Sequence, residues 1–314
     1  MIKTRINELI GIKYPVFQGG MAWISDGKLA AAVSEAGGLG IIASGNAPAE
    51  YVLEQIRTAA SLTDKPFGVN LMLMSPYADE IAEIIAEEKV KVVTTGAGNP
   101  LKYMKKWKEA GVVVIPVVAS VAMAKLMTRV GASALIAEGT ESGGHVGELT
   151  TMALVPQICD CTELPVIAAG GIADGRGFAA AVMLGAEGVQ MGTRFLLAEE
   201  CSIHKNYKER LIKAGDLDTV VTGRRLGHPI RSLKTPFSRQ YAKAEYSDIS
   251  DEELEKMGEG TVRLAVQEGD VSSGTFLAGQ IASMIDKEQK AGDIVREVCM
   301  EAEKCLKGGT EWVK

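Results

Sequence analysis

The sequence predicts an α/β protein built on a (β/α)8 TIM barrel with an inserted lid, and two observations carry that expectation. Eight short apolar or β-branched runs recur between residues 15 and 191, alternating with stretches of helical periodicity. Glycine is in excess, 35 of 314 residues, against an ordinary share of about 7%. Twelve of those glycines fall between Gly131 and Gly192, mostly just after a predicted strand or at the start of the next helix.

The predicted strands are 15–18, 39–43, 67–71, 90–94, 112–117, 134–138, 166–169 and 188–191. Between them, amphipathic helices are expected over 49–60, 77–88, 101–110, 121–130 and 176–184. Continuously apolar strands separated by helices indicate a parallel sheet buried on both faces. A doubly wound open sheet is the structural alternative, but its phosphate loop comes early, and here the glycine-rich loops come late. After Leu197 the rhythm stops. Residues 1–198 therefore read as the barrel and 199–274 as a lid or substrate-binding insertion. Residues 275–314 read as helices returning to the barrel, with helical periodicity over 275–287 and 294–306.

Composition narrows the function. A net charge of −6 argues against a nucleic-acid binder. Five scattered cysteines, including the C-x-C pair Cys159 and Cys161, suit free thiols rather than a disulfide framework or a zinc site. The charged start does not resemble a signal peptide, and the apolar run 112–124 falls short of the about 18 residues that span a bilayer. A cytoplasmic protein without membrane contact is expected.

The segment PVIAAGGIADGRG, residues 165–177, ends a strand at Gly170 and Gly171, and GVQMGT ends the next at Gly192 and Thr193. Counted as strands seven and eight, their loops commonly hold a phosphate in this fold, because glycine lets backbone N–H groups converge on an anion. At the first strand, Gln18, Gly19, Gly20, Met21 and Ala22 would form a wall against which a flat ligand could lie. Asn70 and Gln18 supply amides, either for a heterocycle edge or for neighbouring backbone. The loop AEGTESGGHVG, residues 137–147, carries Glu138, Gly143, Gly144 and His145. His145 could serve as a general acid or as a hydrogen-bond donor to a developing oxyanion. His204 and His228 lie in the insertion, and three separated histidines form no recognisable metal site. Between Thr219 and Ala244 there are six basic residues, among them Arg224, Arg225 and Arg231, and no acid. They either meet an acidic or phosphorylated partner or pair with nearby acids such as Asp251.

Three segments together, YPVFQGGMAWIS at 14–25, the 137–147 loop and residues 165–195, resemble the flavin-dependent enoyl-acyl-carrier-protein reductase II family. More broadly they resemble the nitronate monooxygenase-like FMN barrels, with FQGGMAWIS closer to the reductase branch. The resemblance implies that Gly170, Gly171, Gly192 and Thr193 hold the FMN phosphate. It places Gly19, Gly20, Met21, Ala22, Asn70 and Glu138 along the ring and ribityl chain, with Gln18 close behind, and makes His145 the catalytic histidine. It further implies NADH or NADPH as co-substrate, acyl carrier protein as partner of the basic lid, a homodimer and a response to a monovalent cation. Met21, Met72 and Met74 would suit a flexible acyl chain or simple core packing. Two alternatives stay open: a nitronate monooxygenase, and a non-redox phosphate-binding barrel acting as isomerase, lyase or sensor.

Overall fold

In the computed structural model, which describes residues 2–309, eight parallel strands close on themselves. They are β1 (Val16–Gln18), β2 (Leu39–Ala43), β3 (Gly68–Met72), β4 (Val92–Gly96), β5 (Val113–Val118), β6 (Leu135–Glu138), β8 (Val166–Ala169) and β9 (Gly188–Met191). Pairing of β1 with β9, Phe17 opposite Gln190, completes the ring. A second, antiparallel sheet joins β7 (Gly144–His145), β11 (Ile230–Leu233) and β10 (Thr219–Thr222).

Strand pleat assigns each residue a side. Phe17, Ile41, Val92, Ile115, Ile136 and Ile167 fill the barrel interior. Their neighbours Val16, Leu135, Ala137, Val166 and Val189 face the surrounding helices. The interior is closed from below by Ile6 and Ile10, four residues apart on the helix Arg5–Ile10. That short helix, started by a Thr4 capping box and stopped at Gly11 with φ 85°, is absent from the sequence reading.

The helices Ala49–Leu62, Ala78–Glu87, Leu101–Glu109, Val121–Val130 and Gly175–Met183 occupy the five expected segments. Their starts follow local chemistry: the Ser120 and Asp174 side chains accept from Met123 N and from Arg176 N and Gly177 N. In residues 199–274, Tyr207, Leu211, Ala265 and Val266 belong to the same apolar cluster as the outer faces of the strands. Only Phe237, Tyr241 and Leu254 make a small core apart from it.

The C-terminal reading needs one correction. Residues 275–287 do not form the expected α-helix; a five-residue 3-10 turn, Gln280–Met284, is all that is helical there. The segment is instead drawn out along the cavity, where Gln280 N donates to Glu141 O at 2.9 Å and Gly279 N to Thr193 Oγ1 at 2.8 Å. The second expected helix is present as Ala291–Gly308, packed against Gly175–Met183 and the helix Gly27–Glu35. No helix among the described residues is long and apolar enough to cross a membrane.

Candidate active site

The C-terminal ends of the strands open into a cavity of about 400 Å³, within the ordinary range of about 300–1,000 Å³ for small-molecule sites. Gly19, Gly20, Met21 and Ala22, from the segment after β1, form one wall. Asn70 from β3 and Glu138 from β6 face it, and Gly170, Gly171, Gly192 and Thr193 close the end over β8 and β9. Gly143, Gly144 and His145 line the rim. Twelve of the thirteen residues expected around a cofactor thus border one space, together with the histidine.

Gln18 is the exception. Phe17 points into the barrel, so the next residue on β1 points out, and Gln18 is fully buried behind the wall. Its amide donates to Ser25 Oγ at 2.8 Å and accepts from Ile41 N at 3.2 Å. Ser25 Oγ in turn accepts from Met21 N at 3.0 Å. Gln18 shapes the β1 loop from behind and touches no ligand space.

Glycine is required at two places by contact and by backbone. A Cβ on Gly20 would stand 2.4 Å from the Asn70 Cβ. Gly170 and Gly171 have φ of 88° and 73°, and a Cβ on Gly170 would lie 2.7 Å from Gly139 O. The main chain at this end of the cavity is therefore bare, and Thr193 opens a 3-10 turn beside it. Among the described residues no Lys or Arg lines the cavity. Any phosphate there would rest on backbone N–H groups and the Thr193 hydroxyl rather than on cations.

The loop after β6 is held from three sides. The Glu141 carboxylate accepts from Thr151 N at 3.0 and 2.9 Å and from Thr151 Oγ1 at 3.0 Å, at the start of the helix Thr151–Cys159. Arg231 donates to Thr140 O at 3.2 and 3.1 Å. His145 lies on β7, opposite Ile230 of β11, so the histidine is attached to the inserted segment as much as to the barrel. His145 is exposed toward the open mouth yet heavily surrounded by protein. Desolvation, with the nearby His228, pushes its imidazole below the ordinary value. Burial acts on Glu138 in the opposite sense, raising its carboxyl to about 7, while a hydrogen bond from Ser142 opposes the rise. The Ser142 hydroxyl is itself buried and, among the described residues, has no other hydrogen-bond partner.

The basic stretch divides. Arg231 is buried and spent on Thr140 and on Thr219 Oγ1. Arg225 donates to Asp251 Oδ1 at 2.8 Å and to the carbonyls of Ser247 and Ile249, tying down the end of the helix Pro236–Glu245. Arg224 is exposed, in a 2.8 Å ion pair with Glu148. His204 caps the helix Lys205–Ile212, accepting from Asn206 N. His228 lies on the turn joining β10 to β11. Met21 and Met72 line the cavity, whereas Met74 is exposed outside it.

Gln190 is one cavity residue that the sequence reading passed over. It follows outward-facing Val189 on β9, so it points inward, beneath Gly19. The same period of two would have found it. Gly279 lines the far side, and its position in space, 86 residues from its partner Thr193, has no local signature.

Comparison with known proteins agrees with this arrangement. Residues 3–87 and 75–301 match the sequence profile of the nitronate monooxygenase family. The structure of FabK from Thermotoga maritima superposes with a TM-score of 0.97 at 49% identity, covering 100% of both chains. A Mycobacterium tuberculosis protein named (3aS,4S,5R,7aS)-5-hydroxy-7a-methyl-1-oxo-octahydro-1H-indene-4-carboxyl-CoA dehydrogenase is 42% identical over 237 residues. That match spans 74% of this chain and 67% of the relative. A protein of Staphylococcus saprophyticus named a probable nitronate monooxygenase is 35% identical over 283 residues, 75% of this chain and 80% of its own.

Proposed function

The chain belongs to the nitronate monooxygenase family of oxidoreductases, and within it we propose that this protein is an FMN-dependent enoyl-acyl-carrier-protein reductase using NADH or NADPH. The observation that supports this reading is the full-length likeness to FabK, an enoyl-acyl-carrier-protein reductase II. Family membership sets aside the non-redox barrel.

The residues present suit FMN. The buried Ser142 hydroxyl and the side chains of Asn70, Glu138 and Gln190 offer hydrogen bonds to a polyol and a ring edge. The bare main chain at Gly170, Gly171, Gly192 and Thr193 suits a phosphate. Bound there, FMN would supply the two-electron chemistry of hydride transfer between a nicotinamide and a trans-2-enoyl thioester.

The protein's share is position and charge. Hydride addition at the β-carbon drives negative charge onto the thioester oxygen, where a preplaced donor lowers the barrier. His145, held mainly neutral at pH 7 by its surroundings, keeps one ring N–H to give to that oxygen. The β7–β11 pairing fixes its backbone, and the Glu141 and Arg231 contacts keep the loop from swinging away. Met21 and Met72 give the cavity an adaptable apolar surface for an acyl chain. Exposed Arg224 is the residue best placed to meet an acidic carrier protein; Arg225 and Arg231 act within the fold.

The test is anaerobic. The flavin should bleach with NADH or NADPH and regain its colour on addition of crotonyl thioester. The second reading, FMN-dependent oxidation of nitronates by oxygen, is supported by the family profile and the staphylococcal relative. Nitronate turnover in air without nucleotide, with no reoxidation by the enoyl thioester, would establish it instead. Arg224→Ala should raise KM severalfold for a carrier-protein substrate and leave a CoA thioester unaffected, since a rim charge acts mainly on encounter. Equal losses for both would exclude the carrier-protein contact.

A further inference from the structure

Glu138 is the acid of the cavity with nothing to balance it. Inward-facing Ile136 precedes it by two on β6, so its side chain points into the space above the barrel interior. Among the described residues it makes no ion pair, and no cationic side chain lines the cavity. The other titratable side chains on the wall are Glu141 and His145. Glu141 is engaged by Thr151, with Arg231 near it, and His145 stands at the rim with His228 behind it. On the neighbouring strands the residues beside Glu138 are apolar, Ala169 on β8 being its direct partner. Nearby Ser142 carries a buried hydroxyl that, among the described residues, is engaged by no group but the Glu138 carboxyl.

From this geometry we infer that Glu138 is a proton-carrying cofactor contact: FMN enters the cavity together with one proton, held on the Glu138 carboxyl. The inference rests on the FMN reading above. Apart from the Ser142 hydroxyl, a Glu138 carboxylate has only the open cavity to solvate it, and a bound ligand fills that space. An unpaired carboxylate would then be stranded, at a cost of several kcal/mol. A neutral carboxyl can instead donate to one ligand oxygen and accept from the Ser142 hydroxyl. Burial has already raised this group to about 7 in the open cavity. Covering it moves the balance further the same way. The proton comes from solvent and returns there when the cofactor leaves.

Dilution of the flavin-loaded protein, followed by the fluorescence of released FMN between pH 7.5 and 9, tests this. In that range the FMN phosphate is already doubly charged and His145 is neutral. One linked proton weakens binding by up to about tenfold per pH unit. Wild type should show that slope, and Glu138→Gln, which keeps a donor but cannot ionise, should be flat. A flat wild-type profile, or an equal slope in the variant, overturns the inference while leaving the FMN reading intact. Should the variant fail to fold, calorimetric titration of wild type at pH 8 in buffers of different ionisation enthalpy measures the proton directly. Uptake near one supports the inference and zero overturns it. Protein that retains no FMN at any pH sinks the cofactor reading itself, and the inference with it.

Discussion

His145 and Glu138 lie on the same cavity and are displaced in opposite directions by one cause: burial penalises whichever form is charged. The imidazole is driven toward its neutral form by losing a proton and the carboxyl by keeping one. Each consequence can be measured. Replacing His145 by Ala should leave FMN bound and lower the rate of enoyl reduction by about 10²–10⁴, the usual contribution of a positioned proton donor. Unchanged turnover by stopped flow would remove the histidine from the reaction. For Glu138 the effect is on folding. A carboxyl raised to about 7 when folded, against about 4.3 unfolded, stabilises the flavin-free fold fully below the unfolded value. That contribution is lost as pH rises toward and through 7. Glu138→Gln removes the titration, so the flavin-free variant should exceed wild type in stability at pH 8 by an amount on the order of 3 kcal/mol. The two should converge near pH 4.5, as urea midpoints across that range would show.

At the scale of elements, what could be read in advance was whatever depends on neighbours in the chain. All eight barrel strands and the helices 49–62 and 121–130 are legible because runs of Val and Ile and helical periodicity are local signals. The glycines after β8 and β9 mark the cavity end for the same reason. The two-residue strand Gly144–His145 is not legible, because it exists only by pairing with Ile230 and Arg231, far along the chain. The periodicity of 275–287 misleads because its apolar residues face the cavity and the barrel from an extended path, with Phe276 and Ala278 both buried. Reading the basic run as one surface puts Arg231 among residues that either meet a partner or pair with nearby acids. On a strand, successive side chains alternate, and Arg231 turns inward to Thr140. Arg231→Met should therefore lower stability by about 1–3 kcal/mol, the cost of stripping partners from a partly buried carbonyl. Turnover should fall with it as the His145 loop loosens. Arg231→Lys should recover little, because a single ammonium cannot reproduce the two-pronged contact. A thermal midpoint equal to wild type in either variant would show that the loop is held by Glu141 alone.

For the molecule as a whole, the barrel and the C-terminal segments share one apolar core, and this sets how the chain can be shortened. The helix Ala291–Gly308 buries Ile294, Val295 and Val298 in the same cluster as Val16, Val33, Phe178 and Val189. Its Glu301 carboxylate accepts from Gly175 N at 2.8 Å, at the start of the helix after the β8 glycine loop. This helix thus braces the segment carrying Gly170 and Gly171, more than a hundred residues earlier. Fully burying an aliphatic side chain stabilises by about 1.5–3 kcal/mol, so these three together contribute roughly 5–9 kcal/mol. That is comparable with the entire stability of a typical domain, about 5–15 kcal/mol. A chain ending before Ala291 should be recovered unfolded or aggregated. The milder change Glu301→Ala, which frees only the Gly175 N–H, should fold, melt lower than wild type and release FMN faster. If the truncated chain melts cooperatively and holds FMN as tightly as the full one, the C-terminal helix is an accessory rather than a wall of the barrel.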